Sequence, residues 1–168
     1  MPSAYFETLM RHHAWAVQRL LDTAALVTHP PGVETDALSH GTLLATLRHV
    51  ADVDQSWGRT AQGLVHAGYD VNRMEEEFVD LPSLREFWLA EDARLVDFAS
   101  SLSPADLNRD MQPPWKKQPY KIWQILTHIS NHRAEHGNQI GWQLTALGHP
   151  PGEMGFMGFV DLQRRGVV

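Results

Sequence analysis

Apolar residues recur at helical spacing in four stretches of the chain. In the first, Phe6, Leu9, Ala16, Leu20 and Val27 fall on one stripe, which predicts a helix from about Ser3 to Val27 with Ser3 as its N-cap. His29-Pro30-Pro31-Gly32 stops it. In the second, Leu43, Leu44, Leu47, Val50, Val53 and Trp57 predict a helix that starts near Ser39 or Thr42 and runs past Trp57 towards Val65. Gly68 then begins a polar connection. Leu81-Pro82-Ser83 opens a third helix, with Ser83 as N-cap and Glu86 three residues on, a capping-box pattern. Leu84, Phe87, Trp88, Leu95 and Phe98 are its apolar positions, and it fades at Ser100-Ser101. Pro104, Pro113, Pro114 and Pro119 rule out one helix over 106–118 and predict a short extended excursion or loose hairpin there. The fourth helix runs from about Tyr120 to Leu147 and ends at Gly148, before Pro150-Pro151. The tail from Gly152 to Val168 carries Met154, Phe156, Met157, Phe159, Val160 and Leu162, and reads as a short fifth helix or an ordered flap.

Four long helices with a longer connection before the last predict an all-α fold, a four-helix bundle forming a single domain over 1–168. A chain of 168 residues is long enough to bury a core, and 43% hydrophobic against 20% charged residues marks it as globular. The net charge of −6, with no Lys/Arg block, argues against nucleic acid as a partner. No stretch has the layout of a signal peptide or the apolar length of a membrane span, so the expected location is cytoplasmic.

The chain contains no cysteine, so histidine and carboxylate are the main side chains left for a transition metal. His128, His132 and His136 follow one another at four-residue spacing on the fourth helix. On a helical wheel, His132 and His136 lie near the centre of the stripe defined by Ile122, Ile125, Ile129, Ile140 and Leu147, and His128 lies on its flank. His128 and His136 are about 12 Å apart along the axis, so the three cannot share one ion, and the wheel favours His132 with His136. Two inward imidazoles need partners, because burying each unpaired costs about 1–3 kcal/mol. A metal needs at least one more ligand, and His13, His49, His66, Asp54 and several glutamates are all candidates by position. Gln139 and Asp54 are candidate partners behind the ligands, and Glu135 points away into solvent. Trp57 is the candidate pocket wall, while His29, His40, His66 and His149 read as loop or surface residues.

These elements resemble the DinB/YfiT-like family, named for DNA-damage-inducible proteins and distinct from the polymerase of similar name. The resemblance is carried by RHHAWAVQRLLD, LLATLRHVADVDQSW, the 106–118 excursion and YKIWQILTHISNHRAEHGNQI, and it spans nearly the whole chain. It implies a four-helix bundle with three histidines around a divalent metal, here His49, His132 and His136. This chain departs from the family in having Gly137 and Asn138 where an Arg-Gly pair is common, and His12-His13 where an aromatic-Asn pair is common. His13 could then enter the metal site, or be a core histidine satisfied by a backbone carbonyl.

Three neutral imidazoles leave at least one open position for water or substrate, the layout of a catalytic site. Zinc or nickel fits such a ligand set, and so do manganese and iron. The resemblance implies a metal-dependent enzyme acting on a small-molecule substrate, either a hydrolase or a low-molecular-weight-thiol S-transferase. The competing expectations are a non-catalytic metal-binding stress-response protein and a metal-free helical scaffold. Helix-face homodimerisation suits a bundle of this size and matches family habit.

Overall fold

The computed structural model describes residues 3–27, 40–65 and 73–168. Four long helices form the bundle: α1 (Ser3–Ala24), α2 (Leu43–Gln62), α4 (Leu81–Ser101) and α5 (Ile122–Ala146). The short α3 (Arg73–Glu77) precedes α4, and α6 (Phe156–Arg164) follows α5. Between α4 and α5 lie a 3₁₀ turn, Asp106–Asn108, and two-residue strands β1 (Asp110–Met111) and β2 (Tyr120–Lys121). The strands pair antiparallel, Asp110 opposite Lys121 and Met111 opposite Tyr120. This is the hairpin that the proline-rich stretch predicts. Helix α1 packs on α4 and α5, and α2 packs on the same two from the other side. No helix among the described residues is long and apolar enough to cross a membrane.

The helix ends follow local chemistry, with three departures from the sequence reading. Helix α1 stops at Ala24 rather than Val27; Leu26 and Val27 take i→i+3 bonds to Thr23 and Ala24, which tighten the chain out of the helix. Ser3 is already the first helical residue rather than the cap before it. The cap of α4 is Asp80, not Ser83: its carboxylate accepts the Ser83 N–H at 2.9 Å. Pro82 explains the shift, since a residue without an N–H sits without loss in the first turn. The start of α2 does match, with the Thr42 hydroxyl accepting from the Ala45 N–H. Gly63, at φ 73°, closes α2 with its N–H on the Thr60 carbonyl. Ser39, the 29–32 stop, His66 and Gly68 lie outside the described residues.

The core has two apolar parts. One contains Leu21, Leu47, Leu84, Trp88, Ile140 and Leu144; the other contains Phe6, Met10, Leu95, Ile122, Ile125 and Ile129. All twelve are at most 3% exposed, and each contributes roughly 1.5–3 kcal/mol of burial. Between the two parts, the middle turn of every long helix turns polar: His12 and His13 on α1, Asp54 and Gln55 on α2, Glu91 and Asp92 on α4, and Arg133 and His136 on α5, all buried. Buried polar groups cost stability unless paired, so this layer is where function is to be sought.

Candidate metal centre

Helix α5 enters the polar layer with His132 half-buried and His136 buried. Facing them from α2 is His49. Its Nε2 stands 3.0 Å from Nε2 of His132, and its ring centre is 5.0 Å from that of His136. The His132 and His136 rings are 4.4 Å apart. A fourth imidazole joins them from outside the helices. The Thr42 N–H donates to the His40 carbonyl at 3.0 Å, and Gly41 takes φ 79° between them. That turn leads directly into the capped start of α2 and stacks the His40 ring on His49, 3.8 Å between centres. Ring nitrogens of His40, His49 and His136 all lie within 4.8 Å of one another.

The donor set fits a divalent transition ion. Two nitrogens each about 2.0–2.1 Å from a common ion stand about 3 Å apart, the separation of His49 and His132. Gln139 accepts from Nδ1–H of His136 at 3.1 Å, which leaves the Nε2 lone pair of that ring free to act as a ligand. Burial lowers the pKa of His49 to about 4, with the nearby His40 and His136 adding to the effect. Burial and the neighbouring histidines, His136 foremost, lower that of His132 to about 3. Both rings are therefore neutral at pH 7, as a metal ligand must be. Nδ1 of His132 is buried with no hydrogen-bond partner, a cost that packing alone does not offset.

Beside the histidines is a cavity of about 380 Å³ lined by Trp57, Lys116, Tyr120, Gln124, Ile125 and His128. His128 is exposed; its ring meets the edge of Trp57 at 4.9 Å and lies 5.9 Å from His132. Trp57 thus forms part of a pocket wall next to the histidine cluster.

Other histidines are placed away from it. His13 bonds the Ser130 hydroxyl through Nε2 at 2.8 Å, so its partner is a side chain and not a backbone carbonyl. It is His12 that uses a carbonyl, donating from Nε2 to that of Met154 at 2.9 Å. Burial and the Arg133 charge push the His13 pKa well below its usual value, so it is a neutral core residue. Glu135 is exposed, as its position on the wheel predicts.

Asp54 sits in a buried ion cluster behind the histidines. Its Oδ2 lies 2.7 Å from Nε of Arg133 and accepts from the Trp88 indole at 2.8 Å. Arg133 also donates to Asp92. The cluster ties α5 to α2 and α4, one residue beyond His132 and five beyond His49, so it sets how the histidines face each other. One guanidinium meets two carboxylates here. Burial raises the pKa of both, that of Asp92 to about 6, with Arg133 opposing and Asp54 and Glu91 reinforcing the rise at Asp92. Because the folded Asp92 pKa stands above its ordinary 3.8, the native state holds the extra proton between 3.8 and about 6. This group therefore makes stability fall as pH rises through that window. Asp92→Asn should remove the effect: thermal melts at pH 4.5 and 8 should show the variant gaining on the wild type at the higher pH. An equal difference at both pH values would show that Asp92 ionises normally.

Sequence reasoning missed His40, Arg133 and Asp92. The sequence predicts a loop or surface position for His40, and it is exposed, but it stands nine residues before His49 and directly before the Gly-Thr pair that starts α2. That juxtaposition was a usable signal. Arg133 and Asp92 carried none, because isolated charges on amphipathic helices normally face solvent.

No curated protein matches this chain. A family model described as the DinB family matches residues 1–166, and the chain therefore belongs to the DinB family.

Proposed function

We propose that the protein is a divalent-metal-dependent enzyme whose ion is held by His49, His132 and His136. The observation that carries this reading is the 3.0 Å approach of two neutral imidazole nitrogens from different helices beside an aromatic-walled cavity. An ion bound there supplies Lewis acidity, which makes a nucleophile of water or of a small thiol at neutral pH. Gln139 holds the proton on Nδ1 of His136 and keeps the other nitrogen turned to the ion. Trp57 and Tyr120 offer apolar faces for the body of a small substrate, and Lys116 offers a cation at its rim. Since the chain has no cysteine, any sulfur nucleophile comes from a low-molecular-weight thiol. The reactions this supports are hydrolysis and thiol S-transfer. Zinc or nickel is the expected ion, and the nitrogen ligands also accept manganese or iron.

One observation favours a second reading, a non-catalytic metal-binding protein: His40 provides a fourth imidazole, and a filled ligand sphere marks a structural site. The test uses untagged protein, stripped with chelator and reloaded with zinc or nickel. It is assayed with an activated ester, and with a small thiol plus an aryl halide acceptor. The enzyme reading expects turnover in loaded wild type that disappears in His132→Ala. Full occupancy without turnover of either probe supports the second reading, and absence of bound metal overturns both.

A further inference from the structure

We propose that His40 is a fourth, displaceable ligand to the ion held by His49, His132 and His136. The inference rests on the metal-site reading above and adds to it how access to the ion is controlled. Three observations carry it. Ring nitrogens of His40, His49 and His136 lie within 4.8 Å of one another, and Nε2 of His49 stands 3.0 Å from that of His132, so His40 is in reach of an ion shared with His49 and His136. Its position is built: the Gly41 turn, the bond from the Thr42 N–H to its carbonyl and the Thr42 cap fix it to the first turn of α2. Its anchoring also differs from that of the other three. His49, His132 and His136 project from the interior of long helices, whereas His40 lies outside α2 and is exposed. A side chain outside the helices can swing away without moving them, while the helical three cannot move without the bundle.

Placement on the exposed side gives His40 a role that a fixed fourth ligand lacks. It fills the remaining position in the resting protein, and an incoming anionic donor such as a thiolate takes its place. The site is then closed or open according to the ligand present, which reconciles a four-imidazole cluster with a small-molecule reaction.

The experiment uses full-length protein loaded with Co²⁺, whose visible absorption reports the ligand set, and 2-mercaptoethanol as the thiol probe. His40→Ala and His40→Phe are compared with wild type; phenylalanine keeps an aromatic ring against His49 but has no nitrogen. Loss of a direct ligand weakens metal binding at least as much as loss of a group behind one, about 10–100-fold, and should change the Co²⁺ spectrum in both variants. Thiol binding, followed by the sulfur-to-cobalt charge-transfer band, should move the opposite way. With no imidazole to displace, both variants should half-saturate at lower thiol concentration. Wild-type affinity and spectrum in either variant would overturn His40 as a ligand and leave the three-histidine site standing. Weaker metal binding with unchanged thiol saturation would overturn displacement. Failure of the wild type to bind Co²⁺ at all would remove the site itself, a result distinct from either.

Discussion

Arg133→Met is expected to destabilise the protein by about 3–5 kcal/mol in urea unfolding at pH 7, the usual cost of removing one partner from a buried ion cluster. For a domain of this size that corresponds to a fall in Tm of about 6–20 °C. The cost arises from what is left behind. Asp54 and Asp92 are 3% and 2% exposed and lose their common cation. Oδ1 of Asp54 and Oδ2 of Asp92 have no hydrogen-bond partner even in the wild type, so Asp54 would keep only the Trp88 indole as a donor and Asp92 would keep none. Replacing the whole cluster should behave differently. Arg133→Met combined with Asp54→Leu and Asp92→Leu removes every buried charge and should recover most of the loss, because well-packed apolar side chains replace buried ion pairs at little or no cost. The same triple variant should still bind metal less well, since it no longer ties the middle of α5 to α2 and α4. A single Arg133→Met variant within about 0.5 kcal/mol of wild type, the range of an ordinary surface change, would mean the cluster is hydrated rather than buried.

Much of the bundle was legible because its helices are amphipathic in their outer turns. The apolar stripe of α2 and the Thr42 start are local signals, and the hairpin before α5 follows from prolines that no helix tolerates. The inward direction of His132 and His136 was also legible, since a helical wheel needs no partner. What the histidines meet was not. Choosing His49 over His13 or Asp54 requires knowing which faces of α1 and α2 lie against α5, a tertiary fact that periodicity does not contain. The same gap hid the ion cluster. Asp92 and Arg133 alone read as surface charges, Asp54 reads as a possible partner of the ligands, and only the packing of α2, α4 and α5 turns the three towards one point. His40 was hidden for a different reason: sequence rules treat residues outside helices as surface, and the turn at Gly41 brings one of them back over the site.

Saturating Zn²⁺ or Ni²⁺ should raise the wild-type Tm sharply and leave that of His132→Ala nearly unchanged. An ion that binds only the folded state stabilises it by about 4 kcal/mol at a thousand times its Kd, which for a domain of this length is a rise of about 8–16 °C. The expected behaviour without metal is less intuitive. Removing a half-buried side chain from a packed interior normally costs stability, but His132 is a poor packing residue. Its Nδ1 is buried without a partner, and its Nε2 has only the half-buried His49 imidazole, 3.0 Å away, as a hydrogen-bond partner. His132→Ala removes the orphaned Nδ1, which offsets the lost packing and the lost contact with His49, so the metal-free variant should melt close to metal-free wild type. His136→Ala should differ, because it removes the hydrogen bond from Nδ1 to the Gln139 carbonyl. It should lose both the response to metal and some stability without it. Such a pattern is the mark of residues kept for binding at the expense of folding. A fall in the metal-free Tm of His132→Ala as large as that of an ordinary core truncation, about 2–5 kcal/mol, would show instead that the histidine cluster holds the bundle together by packing.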